Sequence, residues 1–111
     1  MIHGVGVDIV EIERLKQAIQ RWDEAFLNRV FTETEIKYSM QKRFPFQHLA
    51  ARFAAKEAII KAFGDTFIAL KDIEISNDKF GKPRCAIHNK KNKIHLSIAH
   101  TDKYAIATAV I

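Results

Sequence analysis

Val5, Val7 and Ile9 alternate with Gly4, Gly6 and Asp8, a period of two that predicts a strand over residues 2–10. The period then changes. Ile12, Leu15, Ala18 and Ile19 recur at helical spacing, and Phe26, Leu27, Val30 and Phe31 predict a second helical piece. Thr32 and Glu35 form a capping box that opens a third helix over residues 33–42. Pro45 suits the first turn of a helix and Gly64 its C-terminal stop, so residues 45–63 read as the long helix of the chain. Beyond Gly64 the period of two returns in four short strands, marked by Ile73 and Ile75, Cys85 and Ile87, Ile94 to Ile98, and Ile106 to Val110. Turn-forming residues at 77–83 and 101–103 favour antiparallel hairpins. The prediction is an α+β fold in which an N-terminal strand and helices pack on a C-terminal antiparallel sheet.

With 111 residues the chain closes one core, so residues 1–111 form a single domain. No apolar run reaches the roughly 20 residues of a membrane span, and the start of the chain lacks a basic segment followed by a hydrophobic one. The expectation is a soluble, cytoplasmic protein without a membrane partner. A single cysteine, Cys85, excludes an intrachain disulfide and a multi-cysteine zinc site; it reads as a small buried thiol in a strand. The formal charge of +5 and pI near 9.5 favour an anionic partner. Nucleic acid, an acidic protein and a phosphorylated metabolite satisfy that charge equally.

Two carboxylates interrupt apolar patterns. Phe46, Ala50, Phe53 and Ile60 surround Glu57 on the long helix. It is either neutralised by Lys61 one turn later or is part of a functional site. Asp8 shares a strand face with Gly4 and Gly6, where glycine admits close approach to the backbone; the alternative is an Asp that ends a strand and caps the next helix. Position 9 is Ile, so the dinucleotide fingerprint fails, and no phosphate-loop lysine follows. Two carboxylates and a lysine in a basic chain fit Mg²⁺ held by few protein ligands and by phosphate oxygens. Phosphoryl chemistry of that kind rests on charge neutralisation and positioning. The histidines predict no metal site: His95 and His100 have opposite strand parity, and His3 and His48 carry no signal. His100, at a strand-to-turn junction with Thr101, either donates to a phosphate or caps the turn.

The opening IHGVGVDIVEI (residues 2–12) with Arg14, the segment RFAAKEAIIKAFG (52–64) and HLSIAHT (95–101) resemble the small phosphopantetheinyl transferases, the holo-acyl-carrier-protein synthases. DIEI (72–75) and GKP (81–83) also resemble that family, and residues 16–47 match it least. The resemblance implies transfer of 4′-phosphopantetheine from coenzyme A to a serine of an apo acyl carrier protein, in fatty acid biosynthesis. It implies Asp8 and Glu57 as Mg²⁺ ligands, and Lys61 as an active-site lysine with Glu57 as candidate base. Arg52, Lys61, His100 and Thr101 would contact coenzyme A, and Arg14 and Arg21 the carrier protein. A homotrimer with active sites between subunits is also implied. Two departures stand out: Asp65, Thr66 and Phe67 replace a glycine-rich turn, and Asp23 and Glu24 thin the basic face around Arg21.

Two rival readings compete with it. A nucleic-acid-binding module is motivated by the pI and by Lys90, Lys91 and Lys93, but the phenylalanines fall on helical stripes, where core packing explains them better than base stacking. A catalytically silent carrier-protein-binding homologue would not need Asp8, Glu57 and Lys61 intact.

Overall fold

The computed structural model describes residues 1–64 and 67–111. The departure at Asp65 and Thr66 lies outside the described residues. Along the chain run β1 (Val5–Glu11), α1 (Ile12–Val30), α2 (Glu33–Met40), α3 (Pro45–Phe63), a 3₁₀ turn at Leu70–Asp72, β2 (Ile73–Asn77), β3 (Pro83–Ile87), β4 (His95–His100) and β5 (Tyr104–Val110). The α+β class holds, but the sheet is not a C-terminal unit. β1 pairs antiparallel with β5 in a three-stranded sheet of order β1-β5-β4, and β2 and β3 form a separate hairpin.

The predicted helix signals operate as written. Pro45 opens α3 and Gly64 closes it at φ 67°, a left-handed conformation that costs glycine little. Thr32 and Glu35 complete a reciprocal capping box on α2. The two N-terminal helical pieces are one element, α1, broken at Asp23, whose backbone lies at φ 48° and ψ −127°.

Helix α3 lies across the inner face of the sheet. Ala54, Ala55 and Ala58 of α3 and Ala105, Ala107 and Ala109 of β5 are all fully buried where the helix packs on the strand. Small residues on both layers bring the backbones close. A Cβ on Gly6 would stand 1.9 Å from the Ala58 carbonyl oxygen, and one on Gly4 as close to that of Ala62. The glycines beside Asp8 therefore admit α3 itself, where the sequence left open what approaches. Larger side chains, Leu49, Ile59, Phe31 and Ile73, fill the flanks of the core, each worth about 1.5–3 kcal/mol on burial.

Because the glycine side of β1 faces α3, its apolar side faces outward. Val5, Val7 and Ile9 are 61%, 56% and 60% exposed, and Ile106 beside Ile9 is 40% exposed. Fold and burial thus leave a hydrophobic outer sheet face. Cys85 is half-buried in β3, and burial pushes its thiol pKa up to about 11, which keeps it an unreactive thiol.

Candidate active site

Asp8 and Glu57 meet where β1 crosses α3. Asp8 points to the inner face because its neighbours in the pleat, Gly6 and Val10, do so. Glu57 stands on α3 beside Phe53 and is half-buried. Both wall a groove of about 540 Å³ with Ile9, Glu11, Leu15 and Phe26 among the other walls, a volume suited to a small-molecule ligand. Burial raises the Glu57 pKa above 4.5, the negative charge of Asp8 raises it further, and Lys61 opposes the shift. The two carboxylates repel each other.

Lys61 does not close the i,i+4 pair with Glu57. Its Nζ donates to Asp8 Oδ1 at 3.1 Å and to the Val7 carbonyl at 3.1 Å. The lysine is half-exposed, so the pair adds little stability and leaves the ammonium free to meet an anion.

Arg14 lines the groove and reaches Glu11 at 4.0 Å. Arg21, two turns further along α1, is exposed and stacks on Trp22 at 5.1 Å. Both stand on α1 ahead of the break at Asp23.

The remaining expected site residues lie elsewhere. Arg52 is nearly wholly buried, donates from Nη2 to Asn77 Oδ1 at 2.9 Å, and stacks on Tyr38 at 4.3 Å. Thr101 has a turn-capping role: its Oγ1 accepts from Lys103 N at 3.2 Å and Tyr104 N at 3.0 Å. His100 is exposed at the end of β4. These residues do not wall the groove; Arg52 and His100 belong to a cationic cluster that the sequence did not reveal. Around Tyr38 gather Arg52, Lys42 at 4.6 Å, and His48 edge-on at 5.9 Å. His48 loses basicity through burial and through the charges of Arg52, Lys42 and His100. The available signal was two basic residues, Lys42 and Arg43, immediately before a helix start.

A second buried group was missed. Lys56, fully buried, donates to Glu35 Oε1 at 2.6 Å and to the Val30 carbonyl at 2.7 Å, while Glu35 Oε2 accepts from Ile75 N at 2.7 Å. Glu35 was legible only as half of a capping box.

A carboxylate pair facing an open groove, with a lysine bonded to one of the two at a strand–helix crossing, is an arrangement compatible with phosphoryl-group transfer. The model of the 4′-phosphopantetheinyl transferase superfamily matches residues 4–109, and the chain belongs to that family. It is 51% identical to the holo-[acyl-carrier-protein] synthase of Thermodesulfovibrio yellowstonii, over 100% of this chain and 99% of that protein. To that of Clostridium tetani it is 48% identical, over 100% and 96%. Among solved structures, the holo-(acyl-carrier-protein) synthase of Bacillus anthracis in complex with CoA (3′,5′-ADP) matches with a TM-score of 0.87 at 36% identity, over 99% of this chain and 96% of that one. The Neisseria meningitidis enzyme matches with a TM-score of 0.90 at 30% identity, over 99% and 98%.

Proposed function

We propose that this chain is a holo-acyl-carrier-protein synthase that transfers 4′-phosphopantetheine from coenzyme A to a serine of apo acyl carrier protein, with the cytoplasm and fatty acid biosynthesis as its setting. The observation that carries the reading is the Asp8–Lys61–Glu57 grouping beside the groove, in a chain similar over its whole length to such synthases.

The donor set fits Mg²⁺: two carboxylates, Glu57 with its pKa raised by burial and then by the charge of Asp8, and room in the groove for phosphate and water oxygens. Bound there, Mg²⁺ would neutralise charge on the pyrophosphate of coenzyme A. Lys61 adds a positive charge beside the pantetheine-side phosphate. The carrier's serine oxygen bonds to that phosphorus, and Glu57 is the candidate base for the serine proton. The phosphorus–oxygen bond to adenosine 3′,5′-bisphosphate breaks, and that nucleotide leaves. Lys42 and Arg52 supply positive charge for the nucleotide's phosphates, His48 and His100 offer imidazole hydrogen bonds, and Arg14 and Arg21 supply charge for an acidic carrier.

The outward apolar face at Val5, Val7, Ile9 and Ile106 supports a homotrimer, because a face this apolar is costly in a free monomer. Active sites between subunits follow if the cationic cluster of one protomer serves the carboxylates of the next. Asp8→Ala co-refolded with Arg52→Ala would then regain activity through hybrid trimers, and light scattering would give the trimer mass. A monomer fully active at every dilution overturns the assembly. The transfer itself is tested by mass spectrometry of an apo carrier incubated with the chain, coenzyme A and Mg²⁺. Gain of one phosphopantetheine supports the function; an unmodified carrier refutes it.

A further inference from the structure

Glu35 is a junction between elements. Its Oε1 accepts from Thr32 N at 2.9 Å and from Lys56 Nζ at 2.6 Å, and its Oε2 accepts from Ile75 N at 2.7 Å. Lys56 donates a second bond to the Val30 carbonyl at 2.7 Å. One carboxylate thus joins the start of α2, the middle of α3 and β2, and the lysine adds the end of α1. Hydrogen bonds are directional, so one arrangement of these elements satisfies them all. A buried ion pair is a weak source of stability, because lost hydration offsets the attraction, and apolar side chains of similar volume often pack as stably. Neither residue walls the groove at Asp8 and Glu57.

The same three elements meet again one step nearer the surface. Tyr38 stands one turn after Glu35 on α2, Arg52 one turn before Lys56 on α3, and Asn77 two residues after Ile75 on the same face of β2. There Arg52 Nη2 donates to Asn77 Oδ1 at 2.9 Å, and the guanidinium carbon lies 4.3 Å from the centre of the Tyr38 ring. Arg52 Nε is buried and has no hydrogen-bond partner among the described residues. The guanidinium therefore takes its orientation from α2 and β2, not from its own helix. We propose that Glu35 and Lys56 are positioning residues: the buried pair sets α2 and β2 in register on α3 and thereby aims Arg52 at the phosphate it binds. The inference rests on the nucleotide contact proposed above for Arg52 and adds the device that orients it. Charge acts in the same sense, since Glu35 also favours the charged form of Arg52.

The readout is affinity for adenosine 3′,5′-bisphosphate, measured by calorimetry on the full chain, which does not depend on transfer. Lys56→Met with Glu35→Gln removes the pair without stranding either charge. The folded double variant is expected to bind the nucleotide about tenfold more weakly, the order of one charge-assisted hydrogen bond lost. Arg52→Ala is expected to weaken binding at least as much. Adding the double substitution to Arg52→Ala is expected to weaken it no further, because the pair acts through Arg52. Glu35→Asp keeps both charges but shortens the arm that reaches Ile75, and it carries the same comparison if the double variant fails to fold. Wild-type affinity in the folded variant makes the pair a strut and overturns the inference. A further loss on the Arg52→Ala background places the effect elsewhere and also overturns it, as does unchanged affinity in Arg52→Ala itself. A wild-type chain that binds the nucleotide but transfers nothing from coenzyme A refutes the transferase function, and the affinities still decide the positioning.

Discussion

Lys61 reaches across from α3 to Asp8 on β1, Nζ to Oδ1 at 3.1 Å, and leaves Glu57, one turn before it on its own helix, outside that pair. The lysine therefore ties the strand to the helix at the point where both present a carboxylate. Lys61→Ala is expected to lower kcat by about 100-fold or more, the scale of losing one preorganised charge that faces the reacting centre. Its melting temperature should barely move, because a half-exposed pair contributes under about 1 kcal/mol. Steady-state kinetics and thermal melts on the same preparation check both halves. A clearly lower melting temperature with kcat unchanged would make the lysine a strut only.

Glu57 is protonated more readily in the folded chain than in the unfolded one, because burial and Asp8 both disfavour its anion. The folded state thus binds more protons between the ordinary value of 4.5 and the raised one, and stability falls as pH rises through that window. Glu57→Gln removes the effect. In the absence of divalent metal it is expected to melt higher than wild type at pH 7, with the gap closing as pH falls toward 4.5. The same substitution should abolish transfer and weaken Mn²⁺ binding measured by calorimetry. A lower melting point at pH 7 would contradict the burial penalty.

Arg14 and Arg21 stand two turns apart on the exposed side of α1. Reversal of either to Glu is expected to raise the apparent KM for carrier protein far more than for coenzyme A, since an acidic partner then meets like charge. Rising salt should reproduce the defect in the wild type. Equal increases for both substrates would place the arginines with the nucleotide instead.

The Lys56–Glu35 pair is fully buried and joins α3 to α2, to the end of α1 and to β2. Removing one partner strands the other charge: Lys56→Met is expected to cost about 3–5 kcal/mol. Lys56→Met with Glu35→Gln should recover much of that loss, since neither substitution then strands the charge of its partner. Urea denaturation of the single and double variants measures the difference.

Much of this architecture is local and therefore legible in the chain. Proline at the start and glycine at the end fixed α3 because each acts through its own backbone dihedrals. The box of Thr32 and Glu35 closes within three residues. Asp8 and Glu57 stood out because each breaks an apolar period, and the structure brings both to one groove.

What tertiary structure decided are the partners across elements. A period of two distinguishes the faces of β1 without saying which one is inward. The face with fewer apolar side chains went inside because Gly4 and Gly6 let α3 approach to a distance no Cβ would permit, which turned Val5, Val7 and Ile9 outward. Helical spacing offered Lys61 only Glu57, whereas the crossing strand supplied Asp8. Lys56 follows the same logic. Buried alanines flank it on α3, so its chain has no route to solvent, but only the fold could bring Glu35 and the Val30 carbonyl to its ammonium. Sequence fixes dihedrals and periods because these act within a few residues; pairing between distant groups is set by how the layers pack.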